Sequence, residues 1–173
     1  VGSYSSQLVI QDDGSLRFER DTITIWQNNA KNLYTALMVP AEETLHIALR
    51  SRTEQAIAND IMNSSVQNMQ MIEDITEHWL AVEEAIVGGL VRALVPPFLE
   101  QRVGSLRSQS IEDDLEAKMA FGKYKYLPKG IQLVEQLGVE KAIDTYQQYP
   151  DLIQDIFKGD KDIDRARLVA ANV

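Results

Sequence analysis

The spacing of apolar residues changes from period two to a helical period near residue 29, and this change limits the fold more than any other feature of the sequence. Residues 6–10, 16–20 and 22–26 alternate apolar and polar side chains, with a turn-forming Asp-Asp-Gly at 12–14. Such alternation is typical of strands with one buried face. The pattern predicts two or three antiparallel strands and an α+β fold, in which a small N-terminal sheet precedes a mainly helical domain.

The helical period then continues to the prolines at 96 and 97 and returns at 129–157, after a polar and charged segment. Pro40 and the pair Pro96-Pro97 are expected to end helices, since proline lacks the backbone N–H that a helix interior needs. Residues 129–157 are expected to form helices separated at Gly138 and Pro150. The predicted single domain comprises strands at 1–28, helices carrying the candidate site at 29–100, a polar connector at 101–120 and C-terminal helices at 121–173.

Composition excludes several classes of function. The 173 residues are 45 % hydrophobic, which is enough for a packed core, and 26 acidic against 17 basic residues give a net charge of -9. This charge argues against a nucleic-acid partner, because phosphate binding depends on clustered Lys and Arg. The chain has no cysteine, and its longest apolar run, 85–99, is shorter than the ~20 residues of a membrane span. Neither a nucleic-acid partner nor a membrane span is therefore expected.

The segment 40–46, PAEETLH, has the spacing of a metal-binding helix. Glu42 and His46 stand at i and i+4, so that one helix face presents both, and Glu43 follows the first of them, where a general base is needed. The alternative is a helix start, because proline at the first position and acidic residues in the first turn favour a helix N-terminus.

A second helix offers a carboxylate that faces the core. Trp79, Val82, Ile86 and Leu90 form its apolar stripe, Glu83 lies at the edge of that stripe, and Glu84 is expected to point away. A buried carboxylate is costly unless it is paired or bound to a metal. Glu83 is therefore expected to contact His46, Arg50 or a cation.

These segments, in this order, resemble gluzincin metallopeptidases, a zincin group with an HExxH helix after a small sheet. EETLH stands at 42–46, WLAVEEA at 79–85 and YLPKG at 126–130. The resemblance implies an active or degenerate metal-dependent peptidase, with Glu42, His46 and Glu83 as metal ligands and Glu43 as the base. Tyr126 would stabilise an oxyanion. The implied metal is zinc, although the variant EExxH, with glutamate as first ligand, suits Mg, Ca or Mn about as well.

Two other interpretations remain open. Glu43-x-x-His46 has the spacing of a di-iron bundle, but such bundles need a second copy, and residue 75, three before His78, is isoleucine. A non-catalytic acidic helical domain that binds a protein partner would also have this composition. No nucleophile elbow or phosphate loop is present, and Gly88-Gly89 is expected to permit close helix packing.

Overall fold

The computed structural model describes residues 2–3, 6–10, 16–20, 24–25, 33–65, 68–103 and 124–171, with side chains for 39–65, 68–98, 100–101 and 124–171. Six helices among these described residues form the body. They are α1 (Leu33–Asn63), α2 (Met69–Val103), α3 (Leu127–Leu137), α4 (Val139–Gln148), α5 (Pro150–Lys158) and α6 (Asp164–Ala170). The predicted connector at 101–120 lies, after residue 103, outside the described residues.

The predicted α+β class is wrong. Among residues 33–65, 68–103 and 124–171, 88 % are helical, and no sheet forms a layer there. In the part of the chain that the structure describes, strands occur only before residue 26, as β1 (Gly2–Ser3), β2 (Ser6–Ile10), β3 (Leu16–Arg20) and β4 (Thr24–Ile25). They pair as two separate antiparallel ribbons, β1 with β4 and β2 with β3. A two-stranded ribbon is marginally stable and is not a sheet layer.

Helix α2 is the centre of the helical body. From Ala81 to Val91 every residue except Glu84 is buried, so this stretch is covered on all sides, as expected of a core helix. Helix α1 packs on one part of it and α3 on another, and α4 and α5 add further contacts. The fully buried Trp79 donates its indole N–H to Asp60 of α1 at 2.7 Å. The position of α2 relative to α1 is therefore fixed by both apolar and polar contacts.

The prolines do not end helices as predicted. Pro40 lies inside α1, and Pro96 and Pro97 lie inside α2. An internal proline costs about 3 kcal/mol, which the packing of helices of 31 and 35 residues outweighs. The helix-start interpretation of 40–46 is wrong for the same reason, because α1 begins at Leu33. The predicted separations at Gly138 and Pro150 are confirmed, since α4 follows the first and α5 begins at the second.

Glycines bring α2 and α3 into backbone contact. A Cβ atom on Gly89 would lie 2.6 Å from the carbonyl oxygen of Gly130, and one on Gly130 would overlap the backbone of Ala85. The predicted role of the glycine pair in close packing is confirmed at Gly89. None of the helices that the structure describes has the length and apolarity required to cross a membrane.

Candidate metal centre

The candidate site lies between α1 and α2. Helix α1 presents Glu42, His46, Arg50 and Thr53 at intervals of three or four residues, so that they share one face. Most of this face is covered: His46, Arg50 and Thr53 are buried, and Glu42 is half-buried. The opposing residues are a consecutive acidic pair of α2, with Glu83 buried and Glu84 half-buried.

Glu83 is the centre of the polar contacts. Its side chain is fully buried. Its Oε1 accepts a hydrogen bond from His46 Nδ1 at 2.7 Å and forms an ion pair with Arg50 Nη2, also at 2.7 Å. Its Oε2 accepts a short hydrogen bond from the hydroxyl of Thr53. The prediction of an inward Glu83 partnered by His46 or Arg50 is confirmed, because both contact it.

Tyr146 of α4 extends this network. Its hydroxyl lies 2.8 Å from Thr53 Oγ1, and both residues are fully buried. Burial, and then the charge of Glu83, raise the pKa of Tyr146 well above its ordinary value, so the phenol remains protonated. Sequence reasoning missed Thr53 and Tyr146. The available signal was a polar residue at a core-facing helical position in each case.

The second nitrogen of His46 faces a different carboxylate. Its Nε2 lies 3.6 Å from Glu84 Oε2. Glu42, His46 and Glu84 form a potential metal-binding triad. Each offers one ligand atom, and these three atoms lie within 4.8 Å of one another. The sequence named Glu42 and His46, and the structure adds Glu84 where Glu83 was predicted as third ligand. Glu83 instead bonds the other side of the imidazole.

His46 carries a proton in the metal-free protein at neutral pH. Burial on its own lowers the pKa of His46, but hydrogen bonds and charges from Glu83 and Glu84 outweigh it and raise the pKa to about 9. The imidazolium is then bound by a carboxylate at each ring nitrogen. A metal ion at Nε2 would have to displace that proton, because only a neutral imidazole is a ligand.

The remaining predicted residues lie as follows. Glu43 is buried beside Glu42 in α1. Tyr126, just before α3, places its hydroxyl 3.3 Å from His78 Nδ1 and its ring 5.8 Å from that of Phe157. Burial, followed by the charges of two lysines, lowers the pKa of His78 to about 4, so this imidazole is neutral. The catalytic roles given to Glu43 and Tyr126 stay predictions.

Comparisons of the chain with protein-family models, with curated proteins and with solved structures found no significant match in any of the three.

Proposed function

We propose that the protein binds a divalent cation, zinc in the first instance, through Glu42, His46 and Glu84, and that it is a metal-dependent hydrolase acting on peptides. The observation that carries the proposal is the convergence of three ligand atoms within 4.8 Å on two packed helices. The hydrogen bond of the buried Glu83 to the other ring nitrogen adds support, since ligating histidines ordinarily make such a bond.

The residues fit a metal ion in distance and in chemistry. Metal–ligand bonds of about 2 Å bring ligand atoms within roughly 3–4 Å of one another, so separations of up to 4.8 Å require only modest side-chain movement. Arg50 pairs with Glu83, the carboxylate that also bonds the other ring nitrogen of His46. Three protein ligands leave a fourth position of a tetrahedral zinc site open, which is typical of catalytic zinc sites.

In this proposal Glu43 is the general base. Bound zinc would supply Lewis acidity and lower the pKa of a water molecule in the open position. Glu43, next to the ligand Glu42 and itself buried, would accept the proton from that water and pass it to the leaving amine. Tyr126 has no role in the proposal, because its hydroxyl lies at His78. The resemblance to gluzincins contributes only the order of the motifs, since the sheet that it implied is not a layer of this fold.

Zinc titration of chelator-treated protein tests the binding part. Wild type should bind one equivalent, and zinc at a hundredfold excess over Kd should stabilise it by about 2.7 kcal/mol. His46→Ala and Glu84→Ala should abolish most of this stabilisation. Glu77→Ala, at an exposed position of the same helix, is the matched control and should behave as wild type. Absence of stoichiometric zinc from the wild-type protein would refute the proposal.

Glu43→Gln tests the hydrolase part. The amide preserves shape but cannot accept a proton, so the variant should fold and bind zinc while turnover of a peptide library falls by about 10²–10⁴-fold. Equal turnover by wild type and Glu43→Gln would remove Glu43 from the mechanism. Cleavage by neither protein, with zinc bound, would limit the function to metal binding.

The second candidate is a non-catalytic acidic helical domain that binds a protein partner. Two observations favour it: Leu94 and Phe98 expose large apolar side chains on α2, and Glu83 and Glu84 neutralise His46 without any metal. Melting that does not respond to zinc or chelator, together with an inert peptide assay, would support this alternative.

A further inference from the structure

A chain of hydrogen bonds connects the candidate metal centre to α4. Tyr146 OH lies 2.8 Å from Thr53 Oγ1, Thr53 bonds Glu83 Oε2, and Glu83 Oε1 lies 2.7 Å from His46 Nδ1. All four residues are buried. The chain therefore joins three helices through polar atoms that water does not reach.

The donor and acceptor roles in this chain are fixed by its chemistry. The carboxylate of Glu83 can only accept, so Thr53 gives it the single hydroxyl proton. Thr53 Oγ1 is then left as an acceptor, and Tyr146 donates to it. Each group holds the next in one orientation, and the last acceptor holds His46 by Nδ1.

We infer that Thr53 and Tyr146 are positioning residues of the metal centre, which act through Glu83 on the orientation of His46. This inference rests on the metal site proposed above. With Nδ1 held by Glu83, the imidazole presents Nε2 to the space that Glu42 and Glu84 share. Such carboxylate–histidine contacts fix the ring orientation of a ligand and increase its basicity.

The chemistry of the two side chains supports this role over simple core filling. Valine and phenylalanine would fill the same volumes without hydroxyl groups, and buried hydroxyls are costly unless they are bonded. Here the Thr53 hydroxyl bonds Oε2 of Glu83 and the Tyr146 hydroxyl bonds Thr53. Arg50 and His46 contact the other oxygen of Glu83. Both oxygens of Glu83 therefore have hydrogen-bond or ion-pair partners, and these contacts hold the carboxylate in position to accept from His46 Nδ1.

Zinc affinity of the full chain, measured by competition with a chromophoric chelator, tests the inference. Thr53→Val should weaken zinc binding about 10–100-fold and Tyr146→Phe about tenfold, because outer-sphere substitutions have effects of this size. Thr53→Ser keeps the hydroxyl and should recover most of the affinity. Two controls remove equivalent groups elsewhere: Thr76→Val, whose hydroxyl bonds its own helix, and Tyr149→Phe, at an exposed position.

The visible spectrum of the Co²⁺-substituted protein separates positioning from stability. Thr53→Val and Tyr146→Phe should alter the ligand-field bands, and the controls should not. If wild type binds no zinc, the proposed function and this inference both fail. If wild type binds zinc and Tyr146→Phe, folded by circular dichroism, matches its affinity and spectrum, only the inference fails. Tyr146→Phe decides the matter where Thr53→Val does not fold.

Discussion

Raising the pH of the metal-free protein from 6.5 to 9 should lower its free energy of unfolding by about 3 kcal/mol through His46 alone. The folded state holds the proton of His46 with a pKa of about 9, whereas the unfolded chain holds it at 6.5. Because the folded pKa is the higher one, the stabilisation is complete below pH 6.5 and is lost as the pH rises through 9. The slope is about 1.4 kcal/mol per pH unit in the middle of this window and about half of that at each end, which gives the stated loss.

Urea unfolding in the presence of EDTA, at constant ionic strength and at intervals from pH 6 to 9.5, measures this effect. His46→Gln is the matched variant, because its amide is neutral throughout and other titrating groups cancel in the difference between the two proteins. His78 does not disturb the window: its pKa is lowered to about 4, so its effect is a loss of stability as the pH falls below 6.5. A wild-type minus His46→Gln difference that does not change with pH would refute the reasoning.

Two further predictions concern polar contacts that join α1 and α2. Arg50→Ala breaks the buried ion pair with Glu83 and should reduce the free energy of unfolding by about 3 kcal/mol. This value is at the lower end of the range for buried ion pairs, because His46 still pairs with Glu83 in the variant. Arg92→Ala, which breaks an exposed pair, should cost about 1 kcal/mol or less, and equal losses in urea unfolding would contradict the burial argument. Trp79→Phe removes a partly buried hydrogen bond to Asp60 and should cost about 1 kcal/mol, and an unchanged urea midpoint would contradict this prediction.

The candidate site could be predicted where local helical geometry determines it. Residues four apart on one helix must share a face, which placed Glu42 beside His46, and the apolar stripe of α2 correctly turned Glu83 inward. The same helical-wheel prediction was wrong for Glu84, which was expected to point away and which lies 3.6 Å from His46 Nε2. A helical wheel gives a direction around one axis, whereas the crossing of α1 over α2 brings both adjacent carboxylates to the imidazole, one at each ring nitrogen. Contacts such as Thr53 to Tyr146 join distant parts of the chain, and no local pattern encodes them.

The fold was predicted less well, for a related physical reason. Alternation at 6–10 and 16–20 describes a local backbone preference, but a sheet layer needs further strands to pair and a helix face to cover it. The prediction that the prolines at 40, 96 and 97 end helices uses the free-energy cost of proline in an isolated helix. Packing of long apolar faces contributes more than that cost, so tertiary structure overrides the local signal.

The contact of Gly130 with α2 has a genetic consequence. Its missing side chain allows α3 to touch the backbone of Ala85, which directly follows Glu84. Any larger residue at position 130 must displace that turn of α2, and the acidic pair moves with it. Under the proposed metal-binding function, a random-mutagenesis screen for loss of cation binding should recover substitutions at position 130 together with those at Glu42, His46 and Glu84. The proposed site would thus depend on Gly130, which offers no ligand atom and lies on a third helix.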